Sequence, residues 1–428
     1  MGMLAPMLLG GVKDVAAVVL VFVLLIVFHE LGHFWVAKRV GILVREFALG
    51  FGPKIFRIQR GETKYSLRLF PLGGFVDMAG ETPQNGYFER GRIIGLELDA
   101  EGKAATLGDP ALLSRGVGTV TGEIKEIDVV KRFEVVLGNA DGERTYAIHS
   151  AAELITEQGI VRLAPYDRQF VGKPIWARAI TIIAGPLMNF ALAAVLFIGV
   201  NLYTGIPVST PSVGSLQSGF PAQQSGIQVG DQIVAVGGTS TKTWSDLVTA
   251  IEANKGQRIM ITVKRANKLE NLAITPKIVS GHGLIGIGPA LSHNVIEAAW
   301  AGLQSTWTIA HDIVAALTQM ISNRLSPQLA GPVGIVTLIG HEAQIGMANV
   351  LEFAGFLSIN LGIFNLLPIP ALDGSRLVFL LVEAIRGKPV DPQKEGMVHL
   401  VGFALLMAIF VLVTYHDVTQ LAVHSRLS

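Results

Sequence analysis

The chain has 428 residues, of which 50% are hydrophobic and only 16% are charged, and its mean hydropathy is +0.50. A soluble protein of this size does not need so many apolar residues, so a multi-pass membrane protein is the first class to test. Because the net charge is +1 and no domain is basic, nucleic acid is not an expected partner. The absence of cysteine excludes disulfides and any thiolate metal site.

The first predicted element is a membrane-spanning helix over residues 12–38. An unbroken apolar run at 15–28 leads directly into His29-Glu-Leu-Gly-His33. This length is enough to cross a hydrocarbon core of about 30 Å. No A-x-A cleavage site follows, so we expect the segment to be retained rather than removed as a signal peptide.

The polar residues inside this span form an H-E-x-x-H pattern. Ionisable groups in a span cost roughly 2.5–3.5 kcal/mol each, so a sequence keeps them only where they act. His29 and His33 share one helix face and can reach one metal ion, with Glu30 placed as a general base. The alternative is a structural polar cluster, in which the histidines only bond a neighbouring helix. Three ionisable residues in this order inside a span favour a zinc site.

The basic residues predict the orientation of this span. Residues 38–68 carry eight Lys/Arg against two acids. The positive-inside rule places this segment in the cytoplasm and the N-terminus outside. The H-E-x-x-H end of the span is therefore predicted to lie near the cytoplasmic face.

Two β-rich regions follow on the predicted cytoplasmic side. Residues 44–78 alternate polar and apolar side chains on both sides of a turn at Gly61, which predicts a hairpin. It is either an ordinary cytosolic hairpin or a sheet edge near the metal, to which an extended substrate adds a strand. Residues 82–175 are polar with short β-like stretches and predict a cytosolic β-rich insertion. Its His149 stands alone and is expected to be structural.

The second predicted span covers residues 177–204. Its apolar part contains no charge but includes Gly185-Pro-Leu-Met-Asn189. Glycine and proline are tolerated in membrane helices and allow neighbours to approach closely. Asn189 in hydrocarbon needs a partner, which is either a facing helix or the active site.

The sequence of residues 206–290 indicates a separate soluble unit on the outer side. The stretch 219–238 resembles the core of a PDZ domain, with residues 244–253 as its helix. The loop at 283–286 would be the carboxylate-binding loop of a permuted PDZ, whose backbone amides capture a peptide C-terminus. The alternative is a PDZ fold that binds no peptide tail.

The sequence of residues 291–350 indicates an amphipathic membrane-surface segment and a loop. Apolar residues recur at helical spacing, but the segment keeps several charges and is not expected to span. His293 and His311 are expected to face solvent. His341 begins a second H-E pair, but Ile345 stands where a second histidine would be needed.

The third predicted span covers residues 351–387 and carries a second polar motif, Asn365-Leu-Leu-Pro-Ile-Pro-Ala-Leu-Asp373-Gly. Two prolines break the helix, and broken helices at membrane depth occur only inside protein or beside water. Asp373 is either a helix cap or, at a depth comparable to the histidines, the best available third metal ligand. A fourth span at 396–416 places the C-terminus outside.

Together these motifs resemble the site-2 protease family of intramembrane zinc metalloproteases, and most closely its bacterial regulator-of-sigma-factor proteases. The resemblance rests on H-E-x-G-H at residues 29–33, N-x-x-P-x(4)-D-G at 365–374 and G-P-x-x-N at 185–189. The stretch 50–78 looks like the membrane-re-entrant β-hairpin of the family, and 329–335 resembles a further family segment. Residues 164–170 resemble the one-PDZ branch from Gram-positive bacteria, whereas the best-known Gram-negative members carry two PDZ domains.

The resemblance implies a fold and a localisation. It implies a polytopic α-helical membrane protein of about four spans, with a re-entrant β-hairpin, an extracytoplasmic PDZ domain and a cytosolic β-rich insertion. The protein is then expected in the bacterial plasma membrane, in contact with the lipid bilayer, with both termini extracytoplasmic.

The resemblance also implies a mechanism. His29, His33 and Asp373 would hold Zn²⁺, with Glu30 as the catalytic base and Asn365 and Asn189 positioning the substrate. The reaction would be regulated intramembrane proteolysis of single-span membrane proteins already trimmed on the outside. Trimmed anti-sigma factors and signal-peptide remnants are the expected substrates.

Two other functions remain open from the sequence. A non-catalytic membrane PDZ adaptor would use a structural metal site, which fills four positions with protein ligands. Only three ligands are identified here, and a glutamate stands where a base is needed. A membrane zinc protease of the prenyl-protein-processing kind would need a glutamate ligand from a later helix. Glu383 has no companion His or Asp for that role.

Overall fold

The computed structural model describes residues 11–81, 88–113, 118–140, 142–157, 159–322 and 331–427. The chain forms two compact units. The first combines the chain up to residue 193 with the chain from residue 308, and the second is Ala194–Trp307. Within the described residues, four helices are long and apolar enough to cross a membrane, namely Val12–Arg39, Ile175–Thr204, Met347–Leu366 and Gln393–Gln420.

The first unit begins with helix α1, Val12–Arg39, followed by strands β1, Val44–Arg60, and β2, Thr63–Met78. The two strands are long and irregular. As a result, the first part of β1 pairs with two separate parts of β2, one on each side. Leu49 has a Cα partner in Gly74 on one side and in Leu67 on the other. Residues 44–49 thus lie inside the sheet, and residues 74–78 form an outer strand.

The predicted β-rich insertion is a small closed barrel. Its strands are β3, Ile93–Leu98; β4, Ala104–Gly108; β5, Thr119–Asp128; β6, Glu134–Asn139; β7, Gly142–Thr156; and β8, Gly159–Arg162. The order is β4-β3-β5-β6-β7-β8, and a parallel pairing of β4 with β7 closes the ring. Leu96, Leu107, Ile124 and Val135 fill the interior at 0% exposure. The barrel therefore has its own hydrophobic core.

The helices of the first unit continue after the barrel. They are α2, Ile175–Thr204; α5, Val295–Ile321; α6, Pro332–Ile345; α7, Met347–Leu366; α8, Asp373–Arg386; and α9, Pro392–Leu427. Helices α2 and α5 each include residues of both units. The loop expected within 291–350 is partly helical, because Pro332 occupies the first position of α6, where its missing N–H is not needed. Residues 329 and 330 of the family-like segment 329–335 lie outside the described residues.

The predicted third span, 351–387, contains two helices rather than one. Helix α7 ends at Leu366, and Leu367 is extended with φ −67° and ψ 145°. Proline at 368 disfavours helical backbone at the residue before it, which explains the break. Helix α8 then begins at Asp373, so the break separates the apolar helix from the segment that carries the aspartate.

The second unit is a small β-rich domain with one well-defined helix. Its elements are β9, Ile206–Pro207; β10, Val213–Leu216; α3, Pro221–Gln224; β11, Gln232–Val236; β12, Thr239–Ser240; α4, Trp244–Ala253; β13, Ile259–Arg265; β14, Lys268–Ile274; β15, Lys277–Val279; β16, His282–Leu284; β17, Ile287–Pro289; and β18, Leu291–Ser292. A reciprocal capping box between Thr243 and Asp246 begins α4. Leu247 and Ile251 of α4 pack against the four-stranded sheet β12-β11-β13-β14.

Candidate metal centre

Helices α1 and α8 bring the three predicted ligands together. Their ligand atoms all lie within 4.8 Å of one another. His29 Nε2 lies 3.3 Å from Asp373 Oδ2, and His33 Nε2 lies 3.4 Å from the same oxygen. The two Nε2 atoms are 3.3 Å apart.

This triangle has the size of a zinc site. Metal–ligand bonds of about 2.0–2.2 Å at tetrahedral angles place two donor atoms about 3.3–3.6 Å apart. Asp373 Oδ2 is buried and has no hydrogen-bond partner among the described residues, as expected of an oxygen reserved for a cation. The donor set of two imidazoles and one carboxylate leaves a fourth tetrahedral position open, which is typical of catalytic zinc.

His33 is fixed by helix α2. Its Nδ1 donates a hydrogen bond to the carbonyl of Thr181 at 2.9 Å, which leaves Nε2 free to bind a metal. Gly185 is needed for this placement, because a Cβ there would lie 2.2 Å from His33 Nε2. Gly32 allows α1 to approach α2 so closely, since its Cβ would lie 2.2 Å from the Ala184 carbonyl oxygen. Each of the two motifs therefore needs its glycine, because a side chain at either position would collide with the facing helix.

Asn189 lies against the other histidine. Its Nδ2 is 3.2 Å from His29 Nδ1, and the residue is 0% exposed. Its backbone carbonyl accepts a hydrogen bond from Ser358 Oγ at 2.8 Å, which ties α2 to α7. The sequence left a facing helix and the active site as alternative partners, and the structure gives Asn189 both. Its side chain contacts a candidate ligand rather than open space.

Glu30 and Asn365, the other two residues of the predicted site, lie on different helices. Glu30 sits one residue after His29 and faces the outer strand at Gly74, where a Cβ would come within 2.9 Å of Glu30 Cγ. Asn365 lies in the last turn of α7, is half-buried and makes no side-chain hydrogen bond to another described residue. Both side chains are therefore available for chemistry or substrate.

Three other polar residues considered from the sequence are not in the potential ligand group found among the described residues. Glu383 forms a two-contact ion pair with Arg178, with Nη1 3.0 Å from Oε2, and is not a metal ligand. His341 has a side chain that is 68% exposed. His149 accepts a local hydrogen bond from the Ala151 amide at 3.1 Å. Nothing in the local sequence indicated the roles of Thr181 and Arg178, because each depends on a distant helix.

A histidine pair and adjacent glutamate on one membrane helix, completed by an aspartate from another, define a membrane metallopeptidase. The family model for peptidase family M50 matches residues 17–409. The chain therefore belongs to peptidase family M50, the site-2 proteases, and is a zinc metalloprotease.

Full-length relatives agree with this assignment. Zinc metalloprotease RasP of Geobacillus kaustophilus is 41% identical, over 95% of this chain and 98% of that protein. Regulator of sigma-W protease RasP of Bacillus subtilis is 37% identical, over 96% and 99%. Probable protease eep of Enterococcus faecalis is 34% identical, over 95% and 99%.

Solved structures match a smaller part of the chain. The PDZ domain of an SdrC-like protein from Listeria monocytogenes covers 20% of this chain and 93% of that structure, at 26% identity and a TM-score of 0.17. The corresponding domain from Listeria innocua covers 20% and 97%, at 31% identity and a TM-score of 0.18.

Proposed function

We propose that this chain is a zinc-dependent intramembrane endopeptidase that cuts single-span membrane proteins near the cytoplasmic face. The observation that carries the proposal is the triangle of His29, His33 and Asp373 with Glu30 beside it. Zinc, when bound by these three residues, would acidify the hydrolytic water and polarise the scissile carbonyl. Glu30 takes the proton from the attacking water and passes it to the leaving amine, so one C–O bond forms as the C–N bond breaks.

The substrate strand is placed by the hairpin. A helix hides its own carbonyls, so a transmembrane substrate must first become extended. Residues 74–78 pair with 44–49 on one side, and the other side has no strand partner among the described residues. Because Gly74 adjoins Glu30, a substrate strand added to this edge would pass the catalytic base. Asn365 then contacts that strand or the scissile carbonyl.

The hairpin is proposed to enter the membrane. Large apolar side chains of this region are exposed in the isolated chain, and they are Phe51, Ile55, Phe56, Ile58, Leu67, Leu69 and Phe70. An exposed apolar surface of this size is unusual on a soluble hairpin. Lipid contact would cover these side chains and place the outer strand at the depth of the zinc site.

Helix α5 is proposed to lie on the outer membrane surface. Ile296, Trp300, Leu303 and Trp307 recur on one face and are 79%, 71%, 53% and 75% exposed. Tryptophan is enriched at membrane–water interfaces, where its ring contacts lipid and its N–H contacts water. The bilayer is the partner that this face fits.

The second unit is proposed to be a PDZ domain that receives a peptide C-terminus. A cavity of about 140 Å³ lies between α4 and residues 283–287, lined by apolar side chains that include Leu247, Val248 and Ile251. Gly286 has a left-handed φ of 80°. Successive backbone amides beside such a residue form an anion-binding concavity, which suits a terminal carboxylate.

The substrates and location follow from the relatives as proposals. The Bacillus subtilis relative is named a regulator of sigma-W protease. We therefore propose trimmed anti-sigma factors, and also signal-peptide remnants, as substrates in a bacterial plasma membrane. The barrel is placed in the cytosol and both termini outside, as the positive-inside rule predicts.

Replacement of Glu30 by Gln tests this function. The variant keeps the side-chain shape and removes the base, so we expect normal zinc content and loss of cleavage of a co-expressed, outside-trimmed single-span substrate. Glu342→Gln is the matched control, because Glu342 belongs to the incomplete second H-E pair. Cleavage at the wild-type rate by Glu30→Gln would rule out the hydrolytic role of this residue. Zinc-loaded wild-type protein that cleaves nothing would instead favour the adaptor.

A further inference from the structure

Two ion pairs connect helix α8 to the two ends of the barrel insertion. Glu81, which follows β2 and comes just before the insertion, pairs with Arg376. Arg178, in the first turns of α2 after the barrel, pairs with Glu383 through two contacts. Arg376 and Glu383 are seven residues apart, so they lie on one face of α8, two turns from each other.

These pairs are shielded from solvent. The Arg178 and Glu383 side chains are 8% and 14% exposed, and those of Arg376 and Glu81 are 24% and 18% exposed. The ion pair of Arg132 with Glu126 on the barrel surface is 52% and 45% exposed. Exposed pairs contribute little, whereas loss of one partner from a buried pair leaves a charge without compensation. The two α8 pairs are therefore expected to resist displacement of this helix.

Apolar packing lies along the same face of helix α8. Leu380 packs with Phe170 and Ile182 between the two pairs. Both pairs also line a cavity of about 260 Å³, together with Val129 and Val130 from the barrel. Because space remains beside the helix, close packing alone does not fix its orientation.

Asp373 is the first residue of α8 and lies one turn before Arg376. The segment before it, residues 367–372, is irregular and holds two prolines, so α8 is not a rigid extension of α7. A tilt of α8 would therefore move the carboxylate of Asp373 relative to His29 and His33 on α1. The zinc triangle tolerates only small displacements, because its edges already match tetrahedral geometry.

We propose that the two chain segments flanking the barrel insertion, the one after β2 and the start of α2, position Asp373 through the pairs Glu81–Arg376 and Arg178–Glu383. These four side chains are positioning residues, since none contacts the ligand triangle directly. The inference deepens the proposed function and rests on Asp373 being a metal ligand. It gives the segments that enter and leave the insertion a role in setting the geometry of the metal centre.

Cobalt-substituted full-length protein in detergent tests the proposal. The Co²⁺ absorption spectrum reports the ligand geometry, and a competing chelator gives the metal dissociation constant. Arg178→Gln should weaken metal binding about tenfold, at the low end of losses for residues that support ligands, and should alter the spectrum. The reversed pair Arg178→Glu with Glu383→Arg should recover much of both properties. Arg132→Gln, which removes ion pairs with Glu126, Asp128 and Glu134 on the barrel surface, should change neither.

Wild-type affinity and spectrum in folded Arg178→Gln would overturn the proposal, and so would an equal loss in Arg132→Gln. If Arg178→Gln does not fold, Arg178→Lys decides, because it keeps the charge but loses the two-contact geometry. An unchanged spectrum in Arg178→Lys would then overturn the proposal. Asp373→Asn distinguishes an error in the ligand set from an error in the positioning role. Unchanged cobalt binding in Asp373→Asn would refute the ligand set itself, whereas a loss there with none in Arg178→Gln would refute only the positioning role.

Discussion

Gly74 of the outer strand lies directly against Glu30 of helix α1. A Cβ on residue 74 would come within 2.9 Å of Glu30 Cγ, and equally close to the Ala48 carbonyl oxygen and Ile26 Cγ2. The strand edge and Glu30, the proposed catalytic base, are therefore in contact only because residue 74 has no side chain. This contact joins the hairpin to the helix that carries the candidate ligands His29 and His33.

Replacement of Gly74 by alanine is expected to displace Glu30 or the strand edge. A misplacement of about 1 Å reduces turnover roughly 100-fold, so we expect a loss of cleavage near that size with zinc content unchanged. Gly199→Ala is the control, since a Cβ there meets nothing within 4 Å. Substrate cleavage and zinc content measured on both variants check the prediction. Unimpaired cleavage by Gly74→Ala would separate the strand edge from catalysis.

Replacement of Asn189 by alanine is expected to weaken zinc binding about 10- to 100-fold, because His29 would lose the side chain that orients its ring. Asn189→Asp should keep more affinity, since a carboxylate oxygen accepts from the Nδ1–H that a ring bound through Nε2 carries. Zinc dissociation constants measured on both variants check this role. A raised KM with unchanged zinc affinity would instead support the substrate-positioning role expected from the sequence.

We also expect the second unit to turn away substrates that carry bulky outer domains. Deletion of residues 210–288 should then leave catalysis intact and remove this size filter. Pro207 and Leu291 are Cα partners, so the chain ends left by the deletion are held close together. A linker of n Gly/Ser residues spans roughly 5–6 Å × √n, so a handful should join them. The deletion variant should cut full-length substrates that the wild type spares, and should still cut trimmed ones. Paired immunoblots check this, and loss of both cleavages with normal zinc content would make the domain a recruiter.

Low pH is expected to lower the folding stability of the second unit, because it protonates Asp231. Arg265 donates to both carboxylate oxygens, at 2.7 and 2.6 Å, and holds the pKa of Asp231 below its ordinary value, with further help from the Gln228 amide. A depressed folded pKa gives stability that is full above the unfolded value of about 3.9 and is lost as pH falls through the folded pKa. Asp231→Asn should therefore destabilise the unit at neutral pH, by about 2 kcal/mol, and make it less sensitive to acid.

Hydrogen exchange of this unit in the full-length protein, compared between variants at each pH, measures the effect of Asp231. Glu270→Gln is the matched control, because Glu270 contacts the same arginine at 3.0 Å but its side chain is 42% exposed. It should change exchange only slightly. Equal destabilisation by both variants would contradict a special role for the buried carboxylate.

The sequence by itself determined which polar residues share a helix face and where a helix is broken. Four-residue spacing put His29 and His33 on one face, and the apolar run around them showed that their polarity had to serve a purpose. The prolines after Asn365 predicted the break that leaves Asp373 at the start of a helix. These features are encoded in adjacent residues, because helix periodicity and proline sterics act over one or two turns.

Tertiary structure alone decided how these pieces act on one another. The sequence could not show that Asn189 orients His29, that Gly74 brings a strand edge to Glu30, or that Glu383 pairs with Arg178 rather than with a metal. Each of these contacts joins residues from elements far apart in the chain. Their distances are fixed by how helices and strands pack, and packing depends on the shapes of all the neighbouring side chains rather than on any local pattern.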